Sequence, residues 1–343
     1  MHYLTIDCGT STSRAFVVGE DGKVCSVAKK AVGVKDTSTS GSKDILRNGV
    51  KEIVAEAIGR AGIGNGDVVA ILSSGMVTSE IGLCEIPHLS APCTMEQLAQ
   101  GITKAPDLGI TDASIPTYFV RGIKNKMQKT GMSPAKQVGE LDFMRGEETQ
   151  MAGLLEQGNL DLPAVAVILS SHTKFIPIDK EGTILGSLTT LSGQLFDAVV
   201  NHTFLSKSVK QQPGEPERPS GYYNTEVVAD ADKWIRQVGL VRALMFPRFL
   251  NVLLDTDWYE RALFLDAMIA SEDMLALGQM KMLIDAKPDR YVLIGPEGRC
   301  RLYNDILSRQ APNARIISIS DPEEIDKLSI TGVLSLAKKA GVI

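Results

Sequence analysis

The chain has 343 residues, more than one hydrophobic core usually holds, so two domains are expected. With 44% hydrophobic and 22% charged residues, its composition is that of a globular protein and excludes a disordered one. A formal net charge of −5 gives no global attraction to nucleic acid or to an anionic membrane, while leaving room for a local basic pocket.

The strongest apolar run, 162–169, falls far short of the roughly 20 residues a membrane span needs. The N-terminus enters directly into Tyr3-Leu4-Thr5-Ile6, with no basic segment followed by an apolar one, so no signal peptide is expected. Cys8, Cys25, Cys84, Cys93 and Cys300 form no CxxC pair, and His2, His88, His172 and His202 lack metal-ligand spacing. That is reduced, cytoplasmic cysteine usage, without a disulfide framework or a zinc site.

In chain order, strands are expected over 3–9, 12–19 and 23–32, separated by Gly-containing turns as in an antiparallel meander. A Ser/Gly/Thr stretch at 37–42 precedes a helix over 43–62. Its apolar residues Leu46, Val50, Ile53, Val54 and Ala57 recur at helical spacing, and Gly62 is its C-cap. A buried strand over 68–75 completes a β-β-β-α-β unit. Residues 84–141, punctuated by Pro87, Pro92, Pro106, Pro116 and Pro134, read as an inserted region lining a substrate cleft. A helix with an acidic start follows over 146–156.

A second strand-first unit begins at 164–171 and continues through 174–178 and 182–191, followed by a helix over 193–205. Pro213, Pro216 and Pro219 mark 207–222 as an exposed loop. Helical patterns then run through Leu277, followed by a strand at 290–295, a helix at 299–310, a strand at 314–320 and a terminal helix to Lys339. The expected domains are 1–160 and 161–324, with the terminal helix 325–343 packing back on the first.

The two strand-first units share a pattern at a constant offset of 160 residues. Arg14-Ala-Phe-Val-Val-Gly-Glu-Asp-Gly22 matches Lys174-Phe-Ile-Pro-Ile-Asp-Lys-Glu-Gly182 as cation, apolar strand, acidic turn and Gly. Each copy is preceded by a small-residue loop, 9–13 in one and 170–173 in the other. The pattern points to a duplicated fold.

Four motifs carry chemistry. In Ile6-Asp7-Cys8-Gly9-Thr10-Ser11-Thr12-Ser13-Arg14, a strand ends in a carboxylate, and Gly with four hydroxyl residues forms a tight turn. Such a turn can aim N–H and hydroxyl groups at phosphate oxygens, with Asp7 at its edge able to hold Mg²⁺ through water; a ligand-free hairpin fits the motif equally well. Leu169-Ser170-Ser171-His172-Thr173-Lys174 occupies the matching turn of the second copy. Two such loops facing each other would clamp the phosphates of ATP. Asp142-Phe143-Met144-Arg145-Gly146-Glu147-Glu148-Thr149 places paired carboxylates and an Arg at a helix start. A carboxylate there can accept a proton from an attacking hydroxyl, though taken alone an acidic helix turn is the commoner explanation. In Val292-Leu293-Ile294-Gly295-Pro296-Glu297-Gly298-Arg299 a strand meets a Gly-rich turn that permits close approach of a nucleotide. No Asp/Ser arrangement accompanies His172 to suggest a hydrolase triad.

In this order the motifs resemble the phosphate, connecting and adenosine segments of the actin–hexokinase–heat-shock ATPase superfamily. More narrowly, the chain is similar to the 2-dehydro-3-deoxygalactonokinase family. The resemblance rests on Ile6-Asp7-x-Gly9-Thr10, on Ser74-Gly75-Met76-Val77 with Gly82, and on Pro87-x-Leu89-Ser90-x-Pro92. It rests further on Met144-Arg145-Gly146-Glu147-Glu148-Thr149-Gln150, the most specific run, and on His172-x-Lys174 and Asn201-His202. It covers residues 3 to 205, weakens through the helices and returns loosely at 293–298.

The resemblance implies an α/β fold of two duplicated ribonuclease-H-like domains (actin/hexokinase-type ATPase fold) with a cleft between them. It implies ATP and Mg²⁺ as cofactors and transfer of the γ-phosphoryl to the 6-hydroxyl of 2-dehydro-3-deoxy-D-galactonate. By the same resemblance Asp7 organises the metal, and Gly9, Thr10, Ser11, Ser170, Ser171, Thr173 and Lys174 contact phosphate. Gly295 and Gly298 lie against adenosine. Glu147 is the base, with Glu148 the alternative and Arg145 beside them. Gly75, Met76, Arg121, Arg145 and His172 face the sugar acid, with Arg145, Lys174 and Arg121 as cations for its carboxylate. The expected partners are a small-molecule sugar acid and ATP, with no nucleic acid or membrane and with a homodimer left open.

The chain departs from the family pattern at Cys8 (usually Trp), Ser170 (Gly), Gln194 (Glu), Pro296-Glu297-Gly298 and 207–222. These departures bear on sugar identity more than on ATP binding. A kinase of another sugar or sugar acid, or an ATP-binding activator or sensor on the same fold, are the alternatives.

Overall fold

The computed structural model describes residues 1–111, 115–127, 131, 133–158, 160–283 and 288–343. The chain divides into two compact units. The first comprises Met1–Leu162, Ile178–Ser187 and Glu323–Ile343; the second comprises Pro163–Pro177 and Leu188–Pro322.

The first unit opens with an antiparallel meander of β1 (His2–Cys8), β2 (Ser13–Gly19) and β3 (Val24–Lys30). Helices α1 (Val34–Ser40) and α2 (Asp44–Arg60) lead to β4 (Val68–Gly75), which pairs parallel with β1. Leu46, Val50, Ile53, Val54 and Ala57 form the buried stripe of α2 and join a core with Leu4, Ile6, Ala15 and Val17. Residues 89–144 contribute β5 (Leu89–Ser90), α3 (Met95–Gln100), β6 (Thr103–Lys104), β7 (Thr117–Phe119), β8 (Ile123–Lys124), α4 (Pro134–Gln137) and β9 (Phe143–Met144). The main sheet has the order β3-β2-β1-β4-β7-β6, and a small sheet has the order β5-β8-β9. Within the expected insertion 84–141, residues 112–114, 128–130 and 132 lie outside the described residues. Helix α5 (Glu147–Glu156) follows.

In the second unit β10 (Ala164–Leu169) is buried along its whole length, as suits a central strand covered on both faces. It is joined by β11 (Thr173–Ile178) and β12 (Leu188–Thr190). Helices α6 (Ser192–His202), α7 (Ser206–Val209), α8 (Thr225–Val238), α9 (Leu240–Ala243), α10 (Phe246–Leu254) and α11 (Trp258–Leu283) follow. Then come β13 (Arg290–Ile294), α12 (Glu297–Gln310) and β14 (Arg315–Ile319). The sheet order, β12-β11-β10-β13-β14, repeats that of the first unit: an antiparallel hairpin, then parallel strands beside the first one. The last helix, α13 (Pro322–Lys339), runs into the first unit. Among the described residues, no helix is long and apolar enough to cross a membrane.

The internal repeat extends to backbone detail. In the first hairpin turn Gly19 N donates to Lys23 O and Gly22 N to Gly19 O. At the same offset Asp179 N donates to Thr183 O and Gly182 N to Asp179 O. Gly33 and Gly193, also 160 apart, do the same job. A Cβ on Gly33 would be driven into Thr10 O, and one on Gly193 into Ser170 O.

Several elements differ from the sequence reading: α1 covers 34–40, where no helix is expected, and α7 overlaps the start of the expected exposed loop 207–222, with Ser208 and Val209 buried. The strand expected over 182–191 is confined to Leu188–Thr190, with Ile184 forming isolated bridges to Cys93 and Ile178. The cause is Asn125. Its Oδ1 accepts from Ser187 N at 2.9 Å and its Nδ2 donates to Ser187 O at 2.9 Å, replacing ladder bonds with an amide. Helix α12 starts at Glu297 rather than 299, so Gly298 sits in a helical turn, not in a loop.

Candidate active site

Strand pairing builds the site in the first unit. Asp7 and Cys8 end β1 opposite Arg14 and Ser13 of β2 on one side and Ser74 and Gly75 of β4 on the other. The turn after them is closed by Gly9 N donating to Thr12 O at 2.9 Å. Its carbonyls are taken from behind: Gly9 O accepts from Val34 N at 3.3 Å and Thr10 O from Lys35 N at 2.9 Å. Thr10 is partly exposed and Ser11 exposed, and a hydroxyl-rich turn held in this way is of a kind suited to an anion.

Gly75 has φ +86, and a Cβ there would meet Cys8 O at 2.6 Å. Gly146 has φ +110, and a Cβ there would lie 3.3 Å from Gly75 Cα. Both positions need glycine, because an L side chain is strained at such φ and the two backbones touch. The contact sets the start of α5 against the end of β4, which lies beside the end of β1 that carries Asp7.

The paired glutamates at that helix start differ sharply. Glu147 is partly exposed, and its Oε2 accepts from Arg145 N at 3.0 Å. Glu148 is fully buried, with both carboxylate oxygens 2.8 Å from Gly146 N. Burial, then the neighbouring Glu147, pushes its carboxyl up to about 8. Asp7 keeps 33% of its side-chain surface accessible, yet the surrounding protein raises its carboxyl above the usual range; Arg14 opposes that rise and Asp326 and Glu147 add to it. Arg14 lies 3.8 Å from Asp7 Oδ2 and makes its close ion pair with Asp326 of α13.

Helix α13 also braces α5. A Cβ on Gly153 would be driven into Leu328 O, and one on Gly332 into Thr149 O, so the two helices cross at backbone contact.

Arg145 and Arg121 hold the segment that follows β4. Arg145 donates to Thr78 Oγ1 at 2.7 Å and Ile86 O at 2.9 Å; Arg121 donates to Pro87 O at 2.7 Å and His88 O at 3.3 Å. Met76 begins the short turn after Gly75 and is partly buried.

In the second unit Ser170 and Ser171 are exposed and His172 Nδ1 lies 3.1 Å from Ser171 Oγ. Ser171 O accepts from Gln194 N at 2.8 Å; at the offset of 160 Gln194 stands where Val34 does, whose N–H is likewise given to a loop carbonyl, Gly9 O. Thr173 points the other way. It is fully buried, with Oγ1 at 2.7 Å from Ser192 Oγ and 3.1 Å from Tyr303 Oη. Tyr303 donates to Asp273, and Arg299 pairs with Asp266 while donating to Tyr303 Oη at 3.1 Å. Lys174 is buried, with Nζ donating to Thr189 Oγ1 at 2.7 Å. Gly295 is packed so closely that a Cβ would be driven into Leu169 O, whereas Gly298 has open space around it.

The structure thus brings together Asp7, Gly9, Gly75, Arg145, Gly146, Glu147 and Glu148. It separates the roles of Thr173 and Lys174, which face the interior, from the exposed Ser170 and Ser171. The sequence reading did not single out Asp326, His88, or the buried Ser192, Tyr303 and Asp273, and it gave the partly buried Arg299, the last residue of the Gly295 motif, no role. Asp326 lies 312 residues from Arg14, and only its acidic character near the chain end marks it. His88 stands inside a quoted motif, between Pro87 and Leu89.

The arrangement of each sheet and its strand-end loops is that of the actin/hexokinase-type fold. Solved structures agree. A Sinorhizobium meliloti crystal structure, provisionally assigned as a 2-dehydro-3-deoxygalactonokinase, superposes with a TM-score of 0.72 at 21% identity over 98% of both chains. The Acidaminococcus fermentans (R)-2-hydroxyglutaryl-CoA dehydratase component A shares the fold at a TM-score of 0.51 and 12% identity over 99% of both chains. A curated relative from Rhizobium meliloti (strain 1021), provisionally a 2-dehydro-3-deoxygalactonokinase, is 27% identical over 210 residues, 61% of this chain and 60% of the relative. The family model for 2-keto-3-deoxy-galactonokinase matches residues 7–328, and the chain belongs to that family.

Proposed function

We propose that the protein is a cytoplasmic sugar-acid kinase that transfers the ATP γ-phosphoryl to the 6-hydroxyl of 2-dehydro-3-deoxy-D-galactonate. The observation that carries this reading is the Gly75–Gly146 contact. It sets a solvent-reachable carboxylate, Glu147, at a helix start within electrostatic reach of Asp7 at the edge of the phosphate-type loop. Family membership supports the reaction class.

Glu147 takes the proton of the 6-hydroxyl as its oxygen bonds to the γ-phosphorus, and the bond from that phosphorus to the β–γ bridging oxygen breaks, releasing ADP. Thr10 and Ser11 donate to phosphate oxygens; Ser170 and Ser171 are groups of the same kind in the second unit. Gly295 gives the adenosine side a flat backbone, with Gly298 in the first turn of the helix behind it. Thr173 and Lys174 act from beneath the loop, since both side chains are buried. An Mg²⁺ ion fits the oxygen donor set at Asp7, whose carboxylate would hold it through water, and when bound it supplies charge neutralisation on the phosphates. Arg145 positions the acceptor-side segment, and Gly75, Met76, Arg121 and His172 complete the candidate contacts.

The test is ADP release with Mg-ATP and the galactonate keto acid, run beside a no-sugar blank and the C4-epimeric gluconate compound. Turnover on the galactonate form well above the blank is expected. ADP release no faster than the blank with either acid overturns the kinase reading. In the same assay Glu147→Gln is expected to abolish transfer and to keep ATP binding measurable by calorimetry; unchanged turnover refutes the base assignment.

A further inference from the structure

His88 stands just before β5, its ring 5.2 Å from that of Phe143 at an interplanar angle of 59°. Its Nδ1 lies 3.4 Å from Arg145 Nη2. A guanidinium only donates, so Nδ1 is the accepting nitrogen and the ring proton resides on Nε2. Nε2 is buried and has no hydrogen-bond partner among the described residues. A buried donor left without an acceptor is costly, so the position calls for a ligand oxygen.

The surroundings say what kind of oxygen. Arg145, Lys124 and Arg121 all act on the ring, and Glu80 opposes them. Desolvation first, and then these cations, push the imidazole down to about 4, so it is neutral at physiological pH. Besides the Arg145 contact with the ring, the two arginines donate to Thr78 Oγ1 and to the Ile86, Pro87 and His88 carbonyls, and so fix the backbone that carries the imidazole. A Cβ on Gly122 would lie 2.8 Å from both His88 Cδ2 and Arg145 Cγ, so ring and guanidinium are held together by close packing. Arg145 is also the residue whose backbone N–H binds Glu147. A single residue therefore connects the candidate base to a neutral donor in a positive field.

We propose that His88 is a specificity-determining residue of the acceptor site, donating Nε2–H to the carboxylate of the keto acid. This deepens the reading given above and rests on it. The sugar acid then lies with its 6-hydroxyl at Glu147 and its acid end at His88, with Arg145 between them.

The test compares wild type, His88→Phe and His88→Gln on the keto acid and on its C1 amide. Phe keeps an apolar ring against Phe143 and removes the donor; Gln restores an N–H. The expected result for His88→Phe is a fall of about ten- to a hundredfold in kcat/KM for the acid, with KM for ATP unchanged. Its effect on the amide is expected to be small, and His88→Gln should recover part of the loss on the acid. An equal loss on acid and amide, or no loss on the acid, overturns the proposal while the kinase reading stands. Wild-type inactivity on every keto acid instead sinks the kinase reading. Should His88→Phe misfold, the wild-type ring answers alone. Saturating keto acid should shift the Nε2–H resonance in a ¹H–¹⁵N spectrum, and a resonance that stays in place overturns the assignment.

Discussion

Glu148→Gln separates the two adjacent glutamates by thermodynamics and by rate. The Glu148 side chain is fully buried, and its folded-state carboxyl sits at about 8 against a model-peptide value of 4.5. For an acid raised on folding, both states are protonated below about 4.5, so nothing is lost there. Between 4.5 and 8 the unfolded chain releases a proton that the folded protein keeps, and stability declines as pH rises through that window. The full shift corresponds to about 4 kcal/mol by pH 8; coupling to Glu147 lowers what one substitution recovers to roughly 2–4 kcal/mol. Gln is neutral at every pH and can still accept from Gly146 N. Urea unfolding at pH 4, 5, 6, 7 and 8, without nucleotide, should show the smallest difference in midpoint between the two proteins at pH 4. The variant should become progressively more stable toward pH 8, at unchanged m-value. Parallel pH dependence in the two proteins refutes the reasoning. The same variant should keep most of its phosphoryl transfer, because a buried neutral carboxyl is not the base.

Two further substitutions test how the site is held. Gly332→Ala drives a Cβ into the Thr149 carbonyl, a backbone atom that moves only if α5 and α13 separate, so a loss of about 3 kcal/mol is expected in thermal or urea unfolding. A change under about 0.5 kcal/mol would mean the helices do not cross at that contact. Tyr303→Phe removes the hydroxyl that joins Thr173, Asp273 and Arg299 and leaves Asp273 buried beside a bare ring. About 3 kcal/mol of stability should go, and KM for ATP should rise while KM for the acid holds.

Local motifs were legible in the sequence and remote pairing was not. The Asp7–Gly9 turn, the Met144–Thr149 run and the Gly295 turn are contiguous, so residue type and order revealed them. The duplication showed as one hairpin match. Its stronger evidence, Gly33 and Gly193 each pressed on a loop carbonyl, was hidden because the helix that Gly33 caps, α1, is not marked in the sequence, so the helix start shared with α6 does not show. Side-chain direction was the weakest link. Thr173 and Lys174 sit in a hydroxyl-rich, cationic motif, yet β11 is buried on both faces and turns both inward. The break at 182–187 could not be read either, since it depends on an amide 62 residues upstream.

The duplication also bears on why, among the described residues, the first unit carries the candidate base. In both, a glycine at the end of the second central strand, Gly75 or Gly295, is pressed against the carbonyl at the end of the first, Cys8 or Leu169. In both, the loop after that first strand has a carbonyl tied to a following helix start, by Lys35 N or by Gln194 N. These features leave N–H groups and hydroxyls available to an anion, and a duplicated fold supplies them twice. The first unit adds a second glycine, Gly146, laid on Gly75, and with it an acidic helix start brought beside Asp7. In the second unit the residue following Gly295 is Pro296, and α12 turns its Arg299 and Tyr303 inward to Asp266 and Asp273. One copy therefore places a carboxylate at the loop, and the other spends its carboxylates bracing the loop from beneath. That asymmetry fits a division into an acceptor-activating half and a nucleotide-holding half, and it predicts that Glu147 substitutions strike turnover whereas Tyr303 substitutions strike ATP affinity.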